Sequence, residues 1–196
     1  MAESQFPDGA VVRRLWPPER PLLEAHLLRL DACDRRMRFC APTGDDAIRR
    51  YVHAIDWMNS DVVGCFLDGE LRGAAELVRM PGAAVTTAEA SVSVERAVRG
   101  RGLGTALVGR LLLIARNRVV RRVEMLCLAE NAMMRRIARR HGGEITHDNG
   151  QLASRIATPW PSLSSLLEEA TAESTALARV GFDLTAPRPQ ADAAEA

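Results

Sequence analysis

The sequence predicts an α/β protein, a central sheet with helices on both of its faces. Three observations predict it. β-prone runs alternate with stretches whose apolar residues recur every three or four positions. Three strands follow one another as a meander between residues 61 and 95. One run, VEMLCLA at 123–129, is nearly all apolar, as expected in the middle of a covered sheet. Strand–helix–strand crossovers are too few for a doubly wound dinucleotide fold.

Residues 11–16 (VVRRLW) read as a short strand ended by Pro17-Pro18. Leu22, Leu23, Leu27 and Leu30 then repeat at helical spacing through about residue 31. Thr43 caps a second helix, whose apolar stripe is Ile48, Tyr51, Val52 and Ile55. In DVVGCFLDGELRGAAELVRM, residues 61–80, two β-prone runs flank Asp68-Gly69, a dipeptide that favours a tight hairpin turn. Pro81-Gly82 opens a loop, and residues 89–95 form the next strand. The helix after it buries Leu103, Leu107, Leu111 and Ile114. Beyond strand 123–129, Asn131 heads a helix with Met134, Ile137, Ala138 and His141 on one face, closed by Gly142-Gly143. Shorter strands at 144–148 and 152–157 flank Asn149-Gly150, a second hairpin signal. Pro159 and Pro161 break the chain before a helix at about 163–179. The tail from 185, ending APRPQADAAEA, has little to bury and is expected to be disordered.

A chain of 196 residues, 47% hydrophobic and 26% charged, suits one domain with an ample core. The net charge of +1 supplies no global attraction to nucleic acid or anionic membrane. All 26 basic residues are arginine, so the chain has no lysine side chain of its own to be acylated. Cys33, Cys40, Cys65 and Cys127 are scattered and the histidines are not clustered. That argues against a metal site or a disulfide scaffold and for a reducing cytoplasm. The start, MAESQFPDGA, lacks the basic region and apolar core of a signal peptide, and no apolar run reaches the ~18 residues of a membrane span.

The chemistry-bearing stretch is AEASVSVERAVRGRGLGTALVGRLL, residues 88–112, where a strand passes through glycines and arginines into a helix. Glycines at 100, 102 and 104 do not have the G-x-G-x-x-G dinucleotide spacing, and the G-K-[ST] of a triphosphate loop is missing. The mechanism is shared, however. Glycines let the main chain approach an anion, and the helix N-terminus offers free N–H groups with a partial positive charge. Arg99 and Arg101 add charge and Thr105 a hydroxyl, which suits a diphosphate. The other reading is a glycine-rich turn with solvated arginines.

Arg99, Gly102 and Gly104, as R-x-x-G-x-G after a short strand, resemble the acetyl-coenzyme A motif of the GNAT superfamily of N-acyltransferases. Val94 sits where that family's strand ends and splays, and Asn131 matches the asparagine that opens the following helix in many members. The resemblance covers roughly residues 10–158, most specifically 88–142, and implies one domain over 1–184. It also implies a mixed, mostly antiparallel sheet of about six to seven strands. Acetyl-coenzyme A would be the acyl donor, without a metal. The backbone of Val92, Ser93 and Val94 would pair with the pantetheine arm. Arg99, Gly100, Arg101, Gly102, Leu103, Gly104 and Thr105 would hold the pyrophosphate. Ala88-Glu89 at the start of the strand and DRRMRF at 34–39 are similar to bacterial protein-lysine acetyltransferases, which implies an amine acceptor, either a protein lysine or a small molecule.

Transfer to an amine requires loss of a proton from the ammonium, a donor for the oxyanion and departure of the thiolate. By the resemblance Glu89 is the candidate base, with Glu76 in the preceding strand as the second. An ordinary glutamate pKa near ~4.3 makes a weak base, so burial or a relaying water is needed. Alternation places Glu89, Ser91, Ser93 and Glu95 on one face of the strand. A backbone N–H near Val92–Val94 would serve the oxyanion. Asn131 would orient the pantetheine or the amine, although it is also a favoured helix cap. Where many members have a tyrosine as leaving-group acid, this chain has Ala138, and Gly142-Gly143 replaces the usual glycine–phenylalanine pair. A free thiol has a pKa of about 8.5, so solvent alone can assist its departure.

Ala138 prompts the alternative of a catalytically silent acyl-coenzyme A-binding sensor; a small-amine acetyltransferase is another. Arg121-Arg122, Arg135-Arg136 and Arg139-Arg140 raise a nucleic-acid surface, but the lack of interleaved aromatics argues against it. These arginines also suit an acidic protein or the 3′-phosphate of coenzyme A. The four histidines lie too far apart in sequence to nominate a triad. The oligomeric state is open, and an oligomer is compatible with the sequence.

Overall fold

The computed structural model describes residues 9–82, 85–148 and 151–185. Strands β1 (Val11–Leu15), β2 (Ser60–Leu67), β3 (Glu70–Met80), β4 (Thr87–Val94), β5 (Arg122–Leu128), β6 (Glu144–Asp148) and β7 (Gln151–Ala157) alternate with six helices. These are α1 (Arg20–Arg29), α2 (Ala32–Phe39), α3 (Asp45–His53), α4 (Leu103–Asn117), α5 (Ala132–Arg140) and α6 (Leu163–Thr185). The strands form one sheet in the order β1-β2-β3-β4-β5-β7-β6. Among the described residues only the β4–β5 pair is parallel, as the expected mixed and mostly antiparallel sheet requires.

Each face has its own core. Leu103, Leu107, Leu111 and Ile114 of α4 are buried against Val63, Leu77, Ala88, Ala90, Val123 and Met125, with Met134 and Ile137 of α5 on the same side. Fully burying one such side chain contributes roughly 1.5–3 kcal/mol. On the other face, Leu23 and Leu27 of α1 and Ile48 and Val52 of α3 pack on Leu15, Val62, Phe66 and Ala74. The β2–β3 turn at Asp68-Gly69 has the positive φ at both positions (52° and 75°) that a tight hairpin needs.

Four sequence expectations are corrected. First, α2 is an additional helix. Its single buried residue is Asp34, so no apolar stripe announced it, and Asp31 starts it by accepting from the Asp34 N–H at 2.8 Å. Second, Gly44 rather than Thr43 caps α3. The Thr43 hydroxyl donates instead to the Ala41 carbonyl at 3.0 Å. Third, β5 is covered on one face only: Val123, Met125 and Cys127 are buried but Leu126 is 42% exposed. The second core draws on β1–β3 and stops short of β5. Fourth, α6 runs on to Thr185, anchored to α4 by Arg110 and Glu173 at 2.8 Å. The Asn149-Gly150 turn and the tail beyond Thr185 lie outside the described residues. No helix among the described residues is long and apolar enough to cross a membrane.

Candidate active site

The parallel pair β4–β5 is short. It registers only Thr87, Ala88 and Glu89 against Arg122, Val123 and Glu124, whereas β4 stays paired with β3 as far as Val94. From Ala90 to Val94, the β4 edge that faces β5 therefore has no strand partner among the described residues. Its outward N–H and C=O groups are available to a ligand, apart from the Val94 carbonyl, which accepts from Arg99 Nε at 2.9 Å.

This opening ends at the start of α4. Gly100 (φ 80°) and Gly102 (φ 79°) take left-handed conformations that turn the chain into the helix, and a Cβ at either would project into open space. No side chain caps α4, and its first interior bond runs from Ala106 N–H to Gly102 O. The N–H groups of Leu103, Gly104 and Thr105 thus lie ahead of any intrahelical acceptor. Gly104 serves a different purpose. A Cβ there would stand 2.9 Å from Ile137 Cδ1, so this glycine lets α4 and α5 approach.

A pocket of about 260 Å³ occupies the opening. Val92, Ser93, Val94, Arg99, Gly100, Gly102, Leu103, Gly104, Thr105 and Asn131 line it, together with Asp34, Met37 and Arg38 of α2 and Met133, Met134, Arg136, Ile137 and Arg140 of α5. The structure thus gathers the expected binding residues around one cavity, apart from exposed Arg101. That residue lines a second cavity of about 680 Å³ between β1, α4 and α6. Gly102, Thr105 and Arg140 border both cavities.

The charged groups divide into engaged and free. Arg99 is engaged: its Nε donates to the Val94 carbonyl at 2.9 Å and its Nη2 lies 2.7 Å from Asp34. Arg101, Arg136 and Arg140 form no ion pair among the described residues. Asn131 accepts from the Met134 N–H at 3.0 Å and so caps α5, while its side chain also borders the pocket. Ala138 is fully buried in α5. Asp31, Cys33 and Asp34 come within 4.8 Å of one another, but Asp31 is spent on capping and Asp34 on Arg99.

The two candidate bases differ sharply. Glu89 is exposed at the start of β4, has no hydrogen bond or ion pair among the described residues, and does not line the pocket. Burial raises the Cys40 thiol above its usual value, and the Glu89 charge adds to the rise, which places this carboxylate beside the end of α2. Glu76 is buried (5% exposed) and occupied: the Tyr51 hydroxyl donates to it, and Arg38 Nη2 reaches it at 3.3 Å. Burial pushes the Tyr51 hydroxyl up to about 12, so it remains a donor.

Sequence reasoning missed His26. This residue of α1 is wholly buried, with Nε2 2.9 Å from Ser93 Oγ and Nδ1 3.1 Å from Glu95 Oε1. Burial works to raise the Glu95 pKa, but hydrogen bonds from His26, Arg72 and Arg29 outweigh it and hold the carboxyl at about 2. Burial depresses His26, and its bond to Glu95 only partly offsets this. The one available signal was position: His26 shares the apolar face of α1 with Leu23, Leu27 and Leu30.

A sheet whose parallel pair parts beside a glycine-seated helix N-terminus is the arrangement that the resemblance to N-acyltransferases implied. The sequence profile of the Acetyltransferase (GNAT) family matches residues 26–142, more than half of the chain, and the chain belongs to that family. Among solved structures, the GNAT domain of S. lividans PAT is similar at TM-score 0.65 and 21% identity, over 74% of this chain and 89% of that one. A ribosomal-protein-alanine N-acetyltransferase from Brucella melitensis gives 0.58 and 19%, over 75% and 99%. A ribosomal L7/L12 alpha-N-protein acetyltransferase (RimL), solved in complex with coenzyme A, gives 0.61 and 15%, over 77% and 95%. No curated protein sequence matches this chain significantly.

Proposed function

We propose that this protein transfers acetyl from acetyl-coenzyme A to a primary amine, with a protein lysine favoured over a small amine, by direct attack within a ternary complex. One observation carries the reading: the free edge of β4 runs straight into the glycine-seated start of α4, along one pocket of about 260 Å³.

The residues fit the donor. A Cβ at Gly100 or Gly102 would enter open space beside the α4 N-terminus, which leaves that space to a diphosphate. The edge of Val92, Ser93 and Val94 would pair with the pantetheine amides. Arg101, Arg136 and Arg140 are the guanidiniums with charge to spare for phosphates, whereas Arg99 holds the loop to α2. When bound, acetyl-coenzyme A supplies an activated acyl group on a thiol of low basicity. Glu89, open to solvent at the inner end of the β4–β5 opening, is the base we favour, acting directly or through water. Glu76 is second, because it is buried and its Oε2 already accepts from Tyr51 and Arg38. Met37 and Arg38 of α2 border the pocket and would meet the acceptor.

The second reading, a silent acyl-coenzyme A sensor, is favoured by Ala138, whose buried methyl brings no hydroxyl to the pocket. Two measurements separate the readings. Coenzyme A at a hundred times its Kd adds ~2.7 kcal/mol of stability, a thermal shift that both readings require. Thiol release that depends on added lysine peptides, N-terminal peptides or polyamines supports the enzyme. A shift without release from any amine supports the sensor, and no shift removes both.

A further inference from the structure

On the α1 side of β4, three side chains stand in the order of a nucleophile, a base and an orienting acid. Ser93 Oγ lies 2.9 Å from His26 Nε2, and His26 Nδ1 lies 3.1 Å from Glu95 Oε1. Charge fixes the roles along this chain. Glu95 also receives Arg29 Nε at 3.0 Å and Arg72 Nη1 at 2.9 Å, so it is held as a carboxylate, which can only accept. His26 Nδ1 therefore carries the ring proton. That leaves the Nε2 lone pair for the Ser93 hydroxyl, an assignment that follows from the network.

Location supplies the second observation. His26 is fully enclosed, whereas Ser93 forms part of the wall of the 260 Å³ pocket. A histidine that merely satisfied its bonds in the core would not require its serine partner to border the acyl pocket. Ser93 thus pairs with the enclosed imidazole and also belongs to the pocket wall. These are the geometric roles of an activated serine.

We propose that Ser93, His26 and Glu95 form a serine–histidine–glutamate relay through which the protein takes an acyl group onto Ser93 and hydrolyses acyl thioesters when no amine is present. This rests on the pocket being the acyl-donor site. Ser93 Oγ bonds to the thioester carbonyl carbon as its proton passes to His26 Nε2. The C–S bond breaks, its electron pair leaves on sulfur, and the sulfur recovers the proton from His26. An acyl ester on Ser93 and a free thiol result. Water then attacks the ester carbon and gives a proton to His26, which returns it to Ser93 Oγ as the acid departs. Thioester and water thus become acid and thiol, with Glu95 keeping the imidazole oriented throughout.

The test needs no turnover. The full chain is treated with a fluorophosphonate probe, and the adduct is located by peptide mass spectrometry in wild type, Ser93→Ala and His26→Gln, with folding checked by thermal melts. The expected result is an adduct on Ser93, at least tenfold slower labelling in His26→Gln, and protection by coenzyme A. With acetyl-coenzyme A alone, a trapped acetyl group should also map to Ser93, since the chain has no lysine to compete. A folded wild type without a Ser93 adduct, or one whose labelling is undiminished in His26→Gln, overturns the relay. The donor reading fails separately. A Ser93 adduct with no thermal shift from coenzyme A removes that reading, whereas a shift with no adduct removes the relay alone.

Discussion

The guanidinium of Arg99 stands 2.7 Å from the carboxylate of Asp34, a side chain only 7% exposed, and so ties the start of the β4–α4 loop to α2. On the opposite lip, Arg36 of the same helix pairs with Glu130, just beyond β5. Helix α2 is thus strapped across the opening between β4 and β5, with Met37 and Arg38 against the pocket. The arginine that matches the family motif holds this wall in place while it also borders the pocket.

Asp34→Asn should therefore loosen the pocket by releasing Arg99 from α2. Since Arg99 is 35% exposed and partly screened, the stability cost should be modest, about 1–2 kcal/mol. Coenzyme A affinity should fall roughly tenfold, corresponding to ~1.4 kcal/mol. Urea denaturation and titration calorimetry read the two quantities. An unchanged affinity would mean that the strap has no part in forming the pocket.

Glycines 102 and 104 should fail in different ways. Gly102→Ala forces a left-handed residue to carry a Cβ, costing about 1–2 kcal/mol, and places a methyl in the phosphate space. Gly104→Ala brings a methyl against Ile137 Cδ1, the end of a side chain that must swing aside, and should cost about 1 kcal/mol by overpacking. We expect binding to suffer beyond stability in the first variant and stability alone to suffer in the second. Equal losses of affinity at matched stability would contradict this division.

Acid should destabilise the protein in two stages. His26 is depressed below its usual 6.5, so as pH falls through that value the unfolded chain takes up a proton that the native state resists, and stability drops. Glu95, lowered from 4.5 to about 2, contributes stability that is complete above the unfolded value and lost as pH falls from 4.5 toward 2. Denaturant midpoints between pH 8 and pH 3 should show both stages, and His26→Gln should remove the upper one. A wild-type midpoint that stays flat from pH 7 to pH 5 would rule out the buried neutral histidine.

The two glutamates should separate in kinetics and stability. Glu89→Gln should lower kcat by about 10²-fold or more while the melting temperature holds, since the exposed carboxylate supports no packing. Glu76→Gln should melt earlier, because the Tyr51 hydroxyl and Arg38 lose the carboxyl group they share, at a cost of about 1–3 kcal/mol. If Glu76→Gln abolishes turnover with its stability intact and Glu89→Gln does not, the order of the two bases is reversed.

The order of elements apart from α2, the glycine turn, the α4 stripe of Leu103, Leu107, Leu111 and Ile114 and the cap at Asn131 were legible in the sequence. Each is a local pattern: a periodicity, a turn chemistry or a spacing within one element. Such signals depend on the geometry of a few neighbouring residues, which the chain specifies wherever it goes. The family resemblance that some of them carry is what implied a shared site for Val92, Ser93, Val94 and the 99–105 loop. Other features only the tertiary structure decided. Helix α2 escaped because it is held by Asp34–Arg99 and Arg36–Glu130 rather than by an apolar stripe. Tyr51 read as core packing, yet its hydroxyl meets Glu76 across 25 positions. His26 reaches Ser93 and Glu95 across 67 and 69 positions. These contacts join residues far apart along the chain, and their strength comes from burial that exists only once both layers of helices close on the sheet.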